Sequence, residues 1–486
     1  MAASTQLFDL IQSLSLSEKR YFRLYCNLQS GEKNYLKLFD FIDGMEEYDE
    51  EKVKTEFKNE TFIKSLHVTK NYLYNLILKS LRSFHAGSSS DLKLFNLMSD
   101  LLILERRGLY DQARDVLVKI KKLGTELQRH HLVWWASIKE LSFYTSREEK
   151  NMEEQIQAVT RELLDLSLKI ELETKALVLN RKAGLTARMG KSQIAVSTED
   201  ANLSQFLDEH QPLHLTALGH YNQYFSIAAM LENDLERFYG FAKKTVEAWK
   251  AHPALIAEEP HTYKLYLANL LNGCFRTQRF EEFPALMEEF HRLPPGNFNE
   301  EGETFQNFAF YELLYFMNVQ DFENAKKRLP YITEGIIKYR SKIHKGRELA
   351  FYYNLSVLHF VMGDCDQALD WLNRILHHPK TEHRRDLQRS AHILQLIYHY
   401  DLGNYELLDA LLSSVQRKLA RWEEFSSFEK WFFRHFAELM TVHGKKEKAA
   451  FFQRFFESLK DFKTTQNGAT YLTQDEIYIW LEKKIA

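Results

Sequence analysis

The side chains with most chemical reach in this chain are few and scattered. The segment MGKS at 189–192 ends like a phosphate-binding loop, in which backbone N–H groups cradle phosphate and a lysine neutralises it. That loop needs a glycine at position 185. Leu185 stands there, with Gly184 one place off, and ALVLNRKAGLTAR reads as helix where a strand is required. Histidines cluster in RHH (129–131), HQPLH (210–214) and HHP (377–379). At helix ends, protonated imidazole meets the negative end of the helix dipole. His210 and His214 have metal-ligand spacing, but Pro212 between them denies a regular helix interior. HExxH and paired CxxC are absent, so no metal site is expected. Cys26, Cys274 and Cys365 lie far apart, which fits a reducing compartment. Paired carboxylates such as Glu258–Glu259 and Glu281–Glu282 read as solvated helix faces. No set of nucleophile, base and orienting group can be assigned. The expectation is a protein with no catalytic residues, no cofactor and no enzymatic activity.

The elements that carry these residues are helices. Only 8 Pro and 18 Gly occur in 486 residues, too few for the many turns of a strand protein, and aromatics reach 14%. The net charge of −3 creates no global attraction for nucleic acid or an anionic membrane. No apolar run approaches the ~18 residues of a membrane span, and MAASTQLFDLIQSLSLSEKRYF lacks the basic and apolar blocks of a signal peptide. A cytoplasmic protein without a membrane partner is expected.

The helices repeat. In FYYNLSVLHFVMGDCDQALDWLNRILHHP (351–379), two apolar helical stripes flank a Gly-Asp turn. Gly363 suits the left-handed helix end, Asp364 or Asp366 can cap the next helix, and Ala368 permits close packing. RGLYDQA, MGKSQIA, VQDFENA and GKKEKA share this punctuation, with weaker copies elsewhere. Aligned on one turn position, the copies fall at Tyr110, Lys150, Ser192, Leu235, Phe280, Phe322, Cys365, Tyr405 and Lys446, in steps of 40 to 45 residues. Gly stands two residues before five of the nine marks, and Ala three after five of them.

This unit resembles the tetratricopeptide repeat, residue for residue across its Asn, Gly-Asp, Ala and final Pro. Its period of about 42 is longer than the family's ~34, which implies helices of roughly 18 residues. The resemblance implies an all-α fold, a right-handed α-solenoid of about nine TPR-like hairpins over 89–462. A small helical domain at 1–88 would precede it, and a capping helix within 463–486, carrying Ile477, Trp480 and Leu481, would close it. Thr473 and Glu476 have capping-box spacing. The family's function is protein binding in the concave groove, so the expected role is an interaction scaffold for a peptide or partner protein.

In the family, Asn on the first helix of a repeat faces the groove and grips peptide backbone. Eleven residues before successive marks stand Tyr224, Asn269, Tyr311, Asn354 and Leu394. Asn269 and Asn354 match the family residue. Asn272 and Arg276 share the helix face of Asn269, and Asn307 and Asn318 flank Tyr311. Ala268 and Ala350 stand where a carboxylate clamp needs cations, so capture of a C-terminal carboxylate is not expected. The alternative is a regulator that binds DNA through a helix-turn-helix-like N-terminal segment. Lys64, Lys70, Lys79 and Arg82 would touch phosphates, without an acid between 61 and 85. An ordinary helical cap is the competing reading of that segment.

Overall fold

The computed structural model describes residues 3–27, 34–87, 89–144, 151–188, 198–378, 384–422, 424–465 and 473–485. They form helices packed in adjacent pairs, with no strand among them. The chain divides into two compact units, residues 1–224 with 248–258, and residues 225–247 with 259–486.

The first unit opens with α1 (Ala3–Ser13), α2 (Leu16–Asn27), α3 (Asn34–Asp43), α4 (Glu50–Glu56) and α5 (Leu66–Phe84). Leu7, Ile11, Phe22, Leu38, Phe39, Ile42, Val53, Leu73 and Ile77 build one core among them. Asp49 accepts from the N–H groups of Glu51 and Lys52 to cap α4. The hairpins follow. In the first unit they are built from α6 (Ser90–Arg106), α7 (Tyr110–Glu126), α8 (His130–Tyr144), α9 (Met152–Arg188) and α10 (Thr198–Glu209). α11 (Leu215–Leu231) and α12 (Leu235–Lys250) run through the division between the units, and α13 (Pro253–Glu258) belongs to the first. The second unit continues with α14 (Pro260–Arg276), α15 (Phe283–Arg292), α16 (Phe298–Asn318), α17 (Phe322–Lys338), α18 (Lys345–Val361) and α19 (Cys365–Leu376). It ends with α20 (Arg385–Asp401), α21 (Tyr405–Trp422), α22 (Ser427–Thr441), α23 (Lys445–Thr465) and α24 (Gln474–Ile485).

The turn between hairpin arms is the same object each time. Gly108, Asn233, Gln278, Gln320, Gly363, Gly403 and Gly444 all have positive φ, between 56° and 89°. Each stands two residues before an aligned turn position. The turn marks at Lys150 and Ser192, and Gly190 with them, lie outside the described residues. In six of the seven turns, the next residue donates its N–H five residues back, as Asp364 does to the His359 carbonyl at 2.9 Å and Asp321 to Phe316 at 2.9 Å. This Schellman bond satisfies a carbonyl that the helix end would leave without a partner. Asp364 then caps α19 through the N–H of Gln367 at 3.1 Å. Three residues past the turn position, Ala113, Ala325 and Ala368 are fully buried. The Ser356 hydroxyl donates to the Ala368 carbonyl at 2.8 Å, so the two arms meet closely there. Ala449 breaks the rule and is exposed.

The expected helix length of roughly 18 residues fails in both directions, with α15 at 10 and α19 at 12 residues, and most of all at α9. α9 runs 37 residues, about 55 Å at 1.5 Å per residue, through the place where the repeat calls for a second turn. DLSLKIELETK (165–175) contains neither Gly nor Pro, and the pairs Asp165–Lys169 (2.7 Å) and Glu171–Lys175 (2.8 Å) knit successive turns of the helix. With no residue suited to a left-handed conformation, the helix continues.

α24 packs on α23 in the second unit. Ile477, Trp480 and Leu481 are fully buried. The Trp480 indole meets Tyr400 and Phe452 edge-on at 5.9 and 5.7 Å and donates to Asp401 at 2.9 Å. No helix among the described residues is long and apolar enough to cross a membrane.

Candidate functional site

In the second unit the first arms of consecutive hairpins lie side by side, α14 on α16, α16 on α18 and α18 on α20. α14, α16 and α18 carry all the predicted groove residues except Tyr224, which lies on α11. The structure sorts them into two sets. Tyr224 and Tyr311 are each only 6% exposed, and Leu394 is fully buried. That register packs one hairpin against the next, so the two rings are core side chains rather than groove surface. Phe310 and Phe275 lie around Tyr311, and the Arg347 guanidinium sits 5.6 Å from its ring centre. Arg276 and Asn318 are exposed, while Asn269, Asn272, Asn307 and Asn354 are half-buried.

The asparagines are partly engaged by their own helices. Asn307, Asn318 and Asn354 donate their amide N–H to the carbonyls of Glu303, Leu314 and Ala350, at 3.1, 2.8 and 2.7 Å. Each side chain has thereby committed a donor, and what it offers a ligand is chiefly its carbonyl oxygen, an acceptor for peptide N–H groups.

A concavity that sequence reasoning missed lies at the C-terminal ends of two second arms. It encloses about 380 Å³ and is lined by Ile336, Ile337, Arg340, Tyr352, Arg374, His377 and His378. The apolar part of its lining is Ile336 and Tyr352, both buried, and the strongly exposed Ile337. Arg374 stacks on Trp371 with its guanidinium carbon 4.1 Å from the ring centre. Beneath Arg340, Glu348 is only 1% exposed and takes bonds from Arg340 (3.2 Å), Lys345 (2.8 Å) and the Tyr352 hydroxyl (2.7 Å). Burial opposes the charge on Glu348, yet these partners hold its carboxyl below its ordinary range. Burial and the Glu348 carboxylate push the Tyr352 phenol up to about 12. The site therefore presents two arginines and two imidazoles against one sequestered acid, over an apolar base. Only the pair HH at 377–378 signalled it in the sequence, because Arg340 and Arg374 converge through packing.

The N-terminal cations do not act as a set. Lys70 is 8% exposed, donating to Glu50 at 2.7 Å and to the Tyr48 hydroxyl at 3.0 Å. Lys64, Lys79 and Arg82 remain exposed. The patch thus keeps three accessible charges of the expected four. Comparison with known proteins returns no matching family model, no matching curated protein and no matching solved structure.

Proposed function

We propose that this protein is a non-catalytic interaction scaffold, a right-handed helical-repeat solenoid of about nine hairpins, that docks an acidic peptide of a partner protein in a cytoplasmic setting. The observation that carries the reading is the left-handed turn that returns at every described repeat register, because identical turns stack hairpins with the same faces aligned. Side chains one repeat apart are linked accordingly, as in Arg129 with Asp91, Arg279 with Glu236 and Arg389 with Glu429. Such stacks present long rows of helix surface rather than a deep pocket with converging catalytic groups. The exposed Arg276 and the cleft of Arg340 and Arg374 supply positive charge, and the asparagine oxygens supply acceptors for peptide N–H groups.

The test begins with capture on the immobilised full-length chain and identification of the retained proteins by mass spectrometry. The recovered partner is then titrated calorimetrically against the wild type and two variants, Arg340→Glu/Arg374→Glu and Arg276→Glu/Asn318→Ala. The expected outcome is saturable binding by the wild type, weakened at least about tenfold, or about 1.4 kcal/mol, in the charge-reversed cleft. Binding indifferent to both variants overturns the reading, and so does recovery of nucleic acid alone, which would redirect attention to Lys64, Lys79 and Arg82.

A further inference from the structure

Three side chains in the first unit converge without an explanation in the fold. His130 is the first residue of α8, Glu173 lies midway along α9, and His214 immediately precedes α11. The Glu173 carboxylate stands between the two imidazoles. One of its oxygens is 3.8 Å from His130 Nδ1 and 3.8 Å from His214 Nε2. The rings themselves meet edge-on, with centroids 4.5 Å apart. One ligand atom from each residue falls within 4.8 Å of the other two. His130 is buried, and the His214 side chain is 10% exposed.

Neither 3.8 Å separation is a hydrogen bond. His130 Nδ1 and both nitrogens of His214 are buried with no hydrogen-bond partner among the described residues. Buried polar atoms without partners cost about 1–3 kcal/mol each, so the two that face Glu173, His130 Nδ1 and His214 Nε2, call for an occupant. Tetrahedral zinc with ligands at its usual 2.0–2.2 Å would set neighbouring ligand atoms about 3.3 Å apart. Each imidazole, 3.8 Å from the carboxylate, then needs to close on it by about half an ångström, and ligand atoms within 4.8 Å of one another need to close by at most about 1.5 Å. Two imidazoles and a carboxylate are a donor set for zinc and its first-row neighbours.

We propose that His130, Glu173 and His214 bind a divalent transition-metal ion, Zn²⁺ by its chemistry, with the fourth position left to water or an added ligand. The ligands recur at the period of the fold, 43 and 41 residues apart (130 to 173, 173 to 214). Pairs about one repeat apart also occur elsewhere, as in Asp91–Arg129 at 2.7 Å and His261–Glu303 at 3.3 Å. At the metal site the acid instead stands between two histidines, from the neighbours on both sides. The middle ligand belongs to the long helix α9, where the turn expected from the repeat is missing. The ion therefore ties α8, α9 and the start of α11 together at the place where the repeat geometry is irregular. No short motif announces it, because each ligand comes from a different repeat.

Full-length protein stripped with chelator, reloaded with Zn²⁺ and dialysed tests this by elemental analysis. A single retained Zn²⁺ is expected in the wild type and in His377→Ala/His378→Ala, which removes the other adjacent histidine pair. Glu173→Gln and His214→Asn should retain roughly a tenth as much or less. Zinc below that level in the wild type overturns the proposal, as does unchanged stoichiometry in both folded variants. Should both variants fail to fold, Co²⁺ loading of the wild type decides. Intense visible bands of a four-coordinate ion uphold the site, and the weak bands of hexa-aquo-like Co²⁺ overturn it.

Discussion

At the scale of single residues, the turn position shows which requirement is chemical and which is conformational. The backbone demands positive φ at each hairpin turn. Glycine meets that demand at four described turns, while Asn233, Gln278 and Gln320 meet it with side chains that strain the same geometry. Other residues respond to burial. His392 is buried in α20, with the Trp422 ring 5.9 Å away, and burial, reinforced by Lys418, lowers its pKa from an ordinary 6.5 to about 4. The folded protein therefore keeps His392 neutral between those values while the unfolded chain binds a proton. Stability contributed by the neutral ring is present above pH 6.5 and is lost as pH falls toward 4. This residue alone should make the protein roughly 2 kcal/mol less stable at pH 5 than at pH 7. Urea midpoints at the two pH values, compared between wild type and His392→Leu, check it. An equal pH dependence in the two proteins would refute the assignment.

At the scale of elements, close approach between neighbouring hairpins depends on small residues. Gly335 lies on α17 under the Phe305 ring of α16, and a methyl group there would overlap that ring. Phe305 is itself buried and stacked on Phe351 at 5.8 Å, so it has little room to retreat. Alanine's better helix propensity gains about 1 kcal/mol, whereas overpacking of this kind costs about 1–3 kcal/mol or more. Gly335→Ala is expected to destabilise by about 1–2 kcal/mol net. Gly184 on α9 faces open space, and Gly184→Ala should stabilise by about 0.5–1 kcal/mol. Denaturant midpoints of the two variants must move in opposite directions.

At the scale of the whole molecule, contacts between residues one repeat apart make stability local. A perturbation at one hairpin should reach its neighbours and fade beyond them. Trp480 is fully buried at the end of the second unit, against Tyr400, Phe436 and Phe452. Trp480→Ala removes that packing and the bond to Asp401, a loss of about 3–5 kcal/mol. Amide hydrogen exchange in the variant should accelerate across α20 to α23 and remain unchanged in α1 to α5. Uniform acceleration along the chain would contradict the nearest-neighbour picture.

The sequence by itself determined the helical class, the position of each described turn and the burial of Trp480, because these follow from local backbone preference and apolar periodicity. Gly363 and Asp364 act where they stand, whatever lies far away. Tertiary packing alone decided which polar residues face out, and so it buried Tyr311 and Tyr224 where the family register implied a groove. It also brought Arg340 beside Arg374 and placed Glu173 between His130 and His214. These are meetings of side chains from separate elements, and their distances depend on how neighbouring helices stack, which no local stretch of sequence encodes.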